Sequence, residues 1–205
     1  EYKLIIATNR DEFYQRPTLP ASFWEDSPQI LAGRDLREGG TWMGITTTRR
    51  YAALTIHRDP AANKPAAPSR GNLVSQYLAG NFTPPGFIDQ LVDGGRVYNG
   101  FNLLMVYNDL LYYYSNIEKQ LHKVEKGIHG LSNSLLDVPW PKVTMGIKGF
   151  TETIKNNVID TEQLFAVMAN REQPDDEELP ETGLSLAMER MLAPVFVTSP
   201  NYGTR

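Results

Sequence analysis

Short polar clusters stand at the ends of apolar runs along this chain. Asn9-Arg10-Asp11-Glu12 follows Leu4-Ile5-Ile6-Ala7, Gly33-Arg34-Asp35 follows Ile30-Leu31-Ala32, and Thr204-Arg205 comes after the run from Val195 to Ser199. Gly100-Phe101-Asn102 enters one such run, and Leu131-Ser132-Asn133 ends another. Asn and Arg carry N–H groups that can donate to a developing oxyanion or to a substrate carboxylate. An Asp can orient an amine or an arginine. Taken singly, each Arg and Asp reads as architecture, because buried charges are normally paired. Together they read as a polar site that lacks a nucleophile and a positioned base.

The rest of the composition narrows what such a site can be. The 205 residues include no cysteine, which removes disulfides, cysteine-bound zinc, iron–sulfur clusters and a thiol nucleophile within them. His57, His122 and His129 are scattered, with no H-x-x-x-H or H-E-x-x-H spacing. No metal site and no cofactor is therefore expected, and Asp175-Asp176-Glu177-Glu178 reads as a solvated loop rather than a cation site. Neither phosphate-binding glycine motif occurs. Gly130-Leu131-Ser132-Asn133 lacks the closing glycine of a serine nucleophile elbow. The net charge of −4 leaves no basic footprint for nucleic acid. Arg49, Arg50 and Arg58, beside Tyr51 and His57, read as a solvated face. No apolar run approaches the roughly 18 residues of a membrane span. With no disulfide and no signal segment, the expected location is the cytoplasm. Nothing in the pattern fixes an oligomeric state.

The elements that must position the clusters follow from periodicity and turn residues. Residues 2–8 read as a buried strand. Residues 13–40, with Pro17, Pro20, Pro28, Gly33, Gly39 and Gly40, read as mostly loop around a short apolar piece at Ile30-Leu31-Ala32. Segments 41–47 and 50–56 form a hairpin. A Pro/Ala loop then leads to a helix capped by Ser69 that carries Leu73, Val74, Tyr77 and Leu78 on one face. Pro84-Pro85 opens a second helix. Segments 101–107 and 110–115 flank an Asn108-Asp109 turn, and further strands are expected around Leu121–Val124 and Ile128–Leu131. Pro141 starts a helix with a stripe at Val143, Ile147, Phe150, Ile154 and Val158. Thr161 caps the next helix, and Gln173 to Gly183 is an acidic loop. A last short helix holds Met188, Met191 and Leu192, and Val195–Val197 is a closing strand. Runs of strands and runs of helices are segregated, which predicts an α+β fold, with the chain as a single domain. The chain opens at Glu1, without Met, straight into an apolar run, so it reads as a piece of a longer protein.

The stretch from Ala7 to Thr18, centred on Asn9-Arg10-Asp11-Glu12, resembles the signature of the NRDE family, also called the transport and Golgi organisation family. Blocks at Phe23-Trp24, Leu31–Leu36, Gly39–Gly44, Gly130–Asn133, Asp137–Lys142 and Thr198–Arg205 agree, so the resemblance spans the chain. It implies an N-terminal-nucleophile (Ntn) hydrolase-like αββα sandwich, similar to the branch of bile-salt hydrolases, penicillin V acylases and acid-ceramidase relatives. In that branch an N-terminal Cys attacks an amide carbonyl and its own α-amine is the general base. The family typically begins Met-Cys a few residues ahead of Leu4, so the resemblance implies that this chain lacks a short N-terminal nucleophile segment and a C-terminal strand. By position, Arg10 and Asp11 match the residues that orient the nucleophile, although the hydrolases separate the two and here they are adjacent. Asn133 matches the oxyanion donor and Arg205 the late arginine. Asn9 and Asn102 are supporting candidates, and Arg34, Asp35 and Trp42 match family blocks without an assigned role. The implied activity is a thiol hydrolase of linear C–N amide bonds, with an N-acyl or lipid-like small molecule as substrate or ligand. The alternative is a non-catalytic lipid- or haem-handling or trafficking protein on the same fold, with Trp24, Trp42, Phe101 and Tyr112–Tyr114 lining a groove.

Overall fold

A computed structural model describes residues 2–95, 97–155 and 159–205. Glu1 and Val158, the last member of the expected helical stripe, lie outside the described residues. The chain is α+β, with antiparallel sheets and five α-helices among the described residues. It divides into two compact units, Arg16–Lys126 and the pair Glu1–Gln15 with Gly127–Arg205. The short first strand, β1 (Asp11–Phe13), belongs to the second of these.

The unit Arg16–Lys126 is built on a seven-stranded sheet. It opens with β2 (Thr18–Trp24), β3 (Ser27–Asp35), β4 (Met43–Thr46) and β5 (Tyr51–Ile56). Two helices follow, α1 (Gly71–Ala79) and α2 (Pro84–Asp93). The sheet resumes with β6 (Phe101–Tyr107), β7 (Leu110–Ser115) and β8 (Gln120–Lys123). Strand order follows sequence order and every pairing is antiparallel. Residues 13–40, expected to be mostly loop, instead supply two of the longest strands. Prolines misled that reading because β2 is an edge strand, where a missing N–H is tolerated. The ladder shifts register between Leu19 and Ser22, so Pro20 sits at a bulge. The turn at Asn108-Asp109 is as expected, with φ of 49° and 61°, the left-handed pair that a two-residue hairpin requires.

One face of the sheet carries Ile30, Ala32, Ala52, Leu103 and Met105, and it packs on Leu73, Val74, Tyr77 and Leu78 of α1. Helix α1 begins after Arg70 without a side-chain cap, so Ser69 does not fill the capping role. The other end of α1 is closed by Arg50, which is buried rather than solvated. Its Nη2 donates to the Tyr77 carbonyl at 2.9 Å, its Nη1 donates to the Phe82 carbonyl at 2.9 Å, and its guanidinium lies 4.1 Å from the Tyr77 ring centre. The last carbonyls of a helix have no intrahelical donor, and a cation there also meets the negative end of the helix dipole. Trp24, Phe101, Tyr113 and Tyr114 are buried as well, so four of the aromatic residues considered for a ligand groove are interior.

In the unit of Glu1–Gln15 and Gly127–Arg205 three helices follow: α3 (Pro141–Ile154), α4 (Thr161–Met168) and α5 (Leu186–Leu192). The closing strand is β9 (Tyr202–Thr204), paired antiparallel with β1. Four expectations change here. Residues 2–8 form no ladder among the described residues, and Tyr2, Leu4 and Ile6 are exposed by 73%, 41% and 38%. Apolar side chains favour burial, but a strand also needs a backbone alongside to pair with. Ile128–Leu131 is not a strand, because the segment turns back on itself through Asp137. Val195–Val197 runs beside β9, but the Thr204 hydroxyl takes the Val197 N–H, and pairing stops at one bridge between Thr198 and Gly203. The cap of α4 is Asp160, one residue ahead of Thr161, and accepts from Glu162 and Gln163 N–H.

Arg50→Ala removes a buried cation and strands the Tyr77 and Phe82 carbonyls. We expect a loss of at least about 2 kcal/mol of unfolding free energy, measured by urea titration. Arg50→Lys should recover only part of it, since an ammonium cannot both stack on Tyr77 and span two carbonyls.

Candidate functional site

The first polar cluster is organised by the pairing of β1 with β9, which sets Asp11 opposite Thr204 and Glu12 opposite Gly203. The Thr204 hydroxyl donates a short hydrogen bond to Asp11 Oδ1 and accepts the Val197 N–H at 2.9 Å. Thr204 and Val197 are both buried. A backbone donor, a hydroxyl and a carboxylate thus form one chain of hydrogen bonds, and the hydroxyl proton is directed at Asp11. Gly203 is required beside it, since a Cβ there would stand 2.3 Å from the Tyr14 hydroxyl and 2.6 Å from the Val197 carbonyl.

The neighbours of Asp11 are held just as tightly. Asn9 Nδ2 donates to the carbonyls of Met168 at 2.7 Å and Val195 at 2.9 Å, so its amide joins the end of α4 to the segment before β9. Arg10 is mostly enclosed, with 11% of its side chain exposed, and its Nη2 lies 3.5 Å from Glu12 Oε2. The Arg205 N–H donates to the Arg10 carbonyl at 3.1 Å, and its guanidinium donates to the Phe13 and Tyr14 carbonyls at 3.2 and 3.1 Å. Asn9, Arg10, Asp11 and Arg205 are therefore brought together. Asn9 and Arg205 serve as braces within this cluster, and Arg10 and Asp11 are what they brace.

Asn133 lies in the same compact unit, on a half-buried loop whose mouth is closed by Asp137. Asp137 Oδ1 accepts the Gly130 N–H at 2.9 Å, and its own N–H donates to the Gly130 carbonyl at 2.8 Å. Its Oδ2 lies 2.7 Å from His129 Nδ1.

The remaining candidates belong to the seven-stranded sheet. Arg34 forms a two-pronged pair with Asp26 at 2.6 and 2.7 Å and lies 4.3 Å from the Trp24 ring centre. Trp42 lies against Gly33, where a Cβ would stand 2.7 Å from the indole. Asp35 accepts from Arg16 Nε at 3.0 Å and from the Arg37 N–H at 2.9 Å. Burial pushes the Asp35 carboxyl up, but these donors outweigh it and hold its pKa below the usual aspartate value. Arg34, Asp35 and Trp42 thus gather at one end of β3 and β4. Asn102 forms a separate buried network on β5, β6 and β7. Its Nδ2 donates to Thr55 Oγ1 at 3.0 Å and its Oδ1 accepts from the Tyr113 hydroxyl at 2.8 Å. Sequence reading missed Asp26, Arg16, Thr55, Tyr113, Asp137 and Thr204 as partners. Thr204 and Asp137 stood inside matching blocks, and a polar residue in such a block without a role of its own was the available signal.

Among the described residues no group of three or more His, Asp and Glu is placed to hold a metal ion, and no helix is long and apolar enough to cross a membrane.

The sequence profile of the Transport and Golgi organisation 2 family matches residues 1–205. The chain belongs to this family. Two relatives named Transport and Golgi organization 2 homologs support the assignment, one from Bos taurus at 35% identity and one from Mus musculus at 36%. Each alignment covers 100% of this chain and 80% of the relative. The Drosophila melanogaster Transport and Golgi organization protein 2 is 30% identical over 86% of this chain and 70% of its own length. A solved structure of a Caenorhabditis elegans N-acylethanolamine-hydrolyzing acid amidase ortholog overlaps with a TM-score of 0.43 at 11% identity. That overlap covers 78% of this chain and 79% of the other, and it is too loose to carry residues or activity across. The family assignment rests on the sequence alone, and it spans both the Asn9–Asp11 cluster and the Thr204–Arg205 end.

Two outcomes follow. Thr204→Val removes both the donor to Asp11 and the acceptor for the buried Val197 N–H. It should cost about 1–3 kcal/mol in thermal or urea unfolding, and Thr204→Ser should restore most of it. Asp35 has a lower pKa folded than unfolded, so its ionised form favours folding. The stability gap between the native chain and Asp35→Asn should be full above the ordinary value of 3.8 and close as pH falls through the lower folded value. A gap that stays constant from neutral pH to pH ~3 would remove the Arg16–Asp35 pair from the account.

Proposed function

We propose that this protein is an N-terminal-nucleophile thiol hydrolase acting on a linear amide bond of an N-acyl or lipid-like small molecule, in the cytoplasm and without a cofactor. The observation that carries the reading is the polar cluster of β1 and β9, in which Asp11 is aimed by Thr204 and Arg10 is enclosed beside it. A half-buried carboxylate fixed by a hydroxyl that itself takes a buried backbone N–H is the construction expected of a group that must orient another.

The nucleophile in this reading is the Cys that the family resemblance places ahead of Leu4. Its α-amine takes the thiol proton, and the thiolate adds to the amide carbonyl. Asn133 donates to the oxyanion. The C–N bond then breaks, and the leaving amine departs with the proton held by the α-amine. Water hydrolyses the thioester and restores the thiol. Arg10 and Asp11 hold the amine and thiol in register.

The test uses the protein with its native residues ahead of Glu1. Intact mass and N-terminal peptide sequencing before and after iodoacetamide should show one terminal Cys, alkylated fast near neutral pH. Asn133→Ala should slow acylation by p-nitrophenyl acetate about 10²–10³-fold and leave iodoacetamide alkylation unchanged, because alkylation forms no oxyanion. An unreactive terminus would overturn the enzyme reading in favour of a binding or trafficking protein on this fold. Acylation unaffected by Asn133→Ala would remove that residue from the site.

A further inference from the structure

The loop that carries Asn133 is closed by one residue in a costly backbone conformation. Asp137 has φ of 61°, the left-handed region that residues with a side chain rarely enter. From that position it makes three contacts with the start of the loop. Its carboxylate takes the Gly130 N–H and faces His129 Nδ1, and its N–H meets the Gly130 carbonyl. The same end of the loop is pressed on α3. A Cβ on Gly130 would stand 2.7 Å from Val143 Cγ1 and 3.1 Å from Ile147 Cδ1, so Gly130 has no room to shift toward the helix. The other end of the loop runs directly into α3 through Trp140, whose carbonyl accepts the N–H groups of Val143 and Thr144. Residues 131–136 between these anchors are half-buried and in no regular element. A loop without a ladder keeps its shape through such closures together with turn hydrogen bonds such as that from the Val138 N–H to the Leu135 carbonyl.

We propose that Asp137, paired with His129, is a positioning residue that holds Asn133 in place for oxyanion stabilisation. This rests on the reading of Asn133 given above. Asp137 contacts no reacting atom in this scheme. It acts by fixing the mouth of the loop, and His129 acts by fixing the second carboxylate oxygen, so that Oδ1 stays aimed at Gly130. A strained backbone retained by three satisfied contacts is the pattern of a preorganised loop rather than of a loop tip left to solvent.

The experiment again uses the protein with its native N-terminus. Two quantities are followed in Asp137→Ala, Asp137→Asn, Asn133→Ala and the double variant Asn133→Ala/Asp137→Ala. They are amide hydrogen exchange over residues 130–137 and the rate of thiol acylation by p-nitrophenyl acetate. Asp137→Ala should raise exchange at Gly130 about tenfold or more, as expected when a closing hydrogen bond is lost. It should slow acylation at saturating ester and leave half-saturation unchanged. Asn tolerates the left-handed backbone and keeps an acceptor for the Gly130 N–H, so Asp137→Asn should recover most of both readouts. The double variant should be no slower than Asn133→Ala alone, because the two residues act through one group. Unchanged exchange in Asp137→Ala would overturn the proposal whatever the chemistry. So would additive losses in the double variant, or acylation that falls with Asn133→Ala and not with Asp137→Ala. If acylation proceeds and neither residue affects it, the oxyanion assignment fails together with this one. If the thiol is never acylated, the hydrolase reading itself has failed, and the exchange data then leave Asp137 as a loop closure without a catalytic charge to position.

Discussion

The hydrogen bond from Thr204 to Asp11 spans 193 residues of sequence, and the arrangement of the candidate site depends on it. A half-buried carboxylate must be given donors, and a buried backbone N–H must be given an acceptor. One hydroxyl meets both needs by standing between Asp11 and Val197. This requires β9 to return beside β1 in one register, with Gly203 small enough to pass the Tyr14 hydroxyl. Once that register is set, Arg205 falls beside the Arg10, Phe13 and Tyr14 carbonyls, and Asn9 reaches the end of α4. The contacts are not independent, because they share one alignment of two three-residue strands.

That economy explains why the polar residues cluster where they do. Asn9 and Arg10 lead into β1, and within β1 the strand sends Asp11 and Glu12 to opposite faces. Asn9 and Arg205 are used on backbone carbonyls, while Asp11 faces a hydroxyl and Arg10 a carboxylate. Residues aimed at carbonyls brace the chain. Arg10 and Asp11 face polar side chains instead.

Much of this was legible in the sequence, and the failures have identifiable causes. The helix faces were legible because Leu73, Val74, Tyr77 and Leu78 recur at helical spacing, and all four are buried. The Asn108-Asp109 turn was legible because its two residues tolerate left-handed backbone. The strands β2 and β3 were not, since Pro20 on the edge strand and Pro28, outside the paired registers of β3, carry the same signal as in a loop. Arg50 was read as a surface cation because nothing local marks the helix end, 27 residues later in sequence, that it closes. The site residues were visible as types, through their family blocks. Thr204 and Asp137 were visible as types too, but not as partners, because a hydroxyl or a lone carboxylate has no periodicity and becomes meaningful only once pairing is known.

Asp35 and Asp137 show how one residue type serves different ends. Both accept a nearby backbone N–H and both face a basic side chain. Asp35 faces an arginine, which keeps its charge at every accessible pH, and its donors hold its carboxyl below the usual range despite burial. Such a pair is a permanent strut, suited to the sheet end where Gly33 and Trp42 pack without clearance. Asp137 faces a histidine, which is charged only when protonated. A closure of that kind keeps its hydrogen bond in both protonation states and gains charge attraction in one. The Arg16–Asp35 pair therefore suits a part of this chain that only holds shape, and the histidine pair falls on the loop to which the family resemblance assigns a catalytic donor.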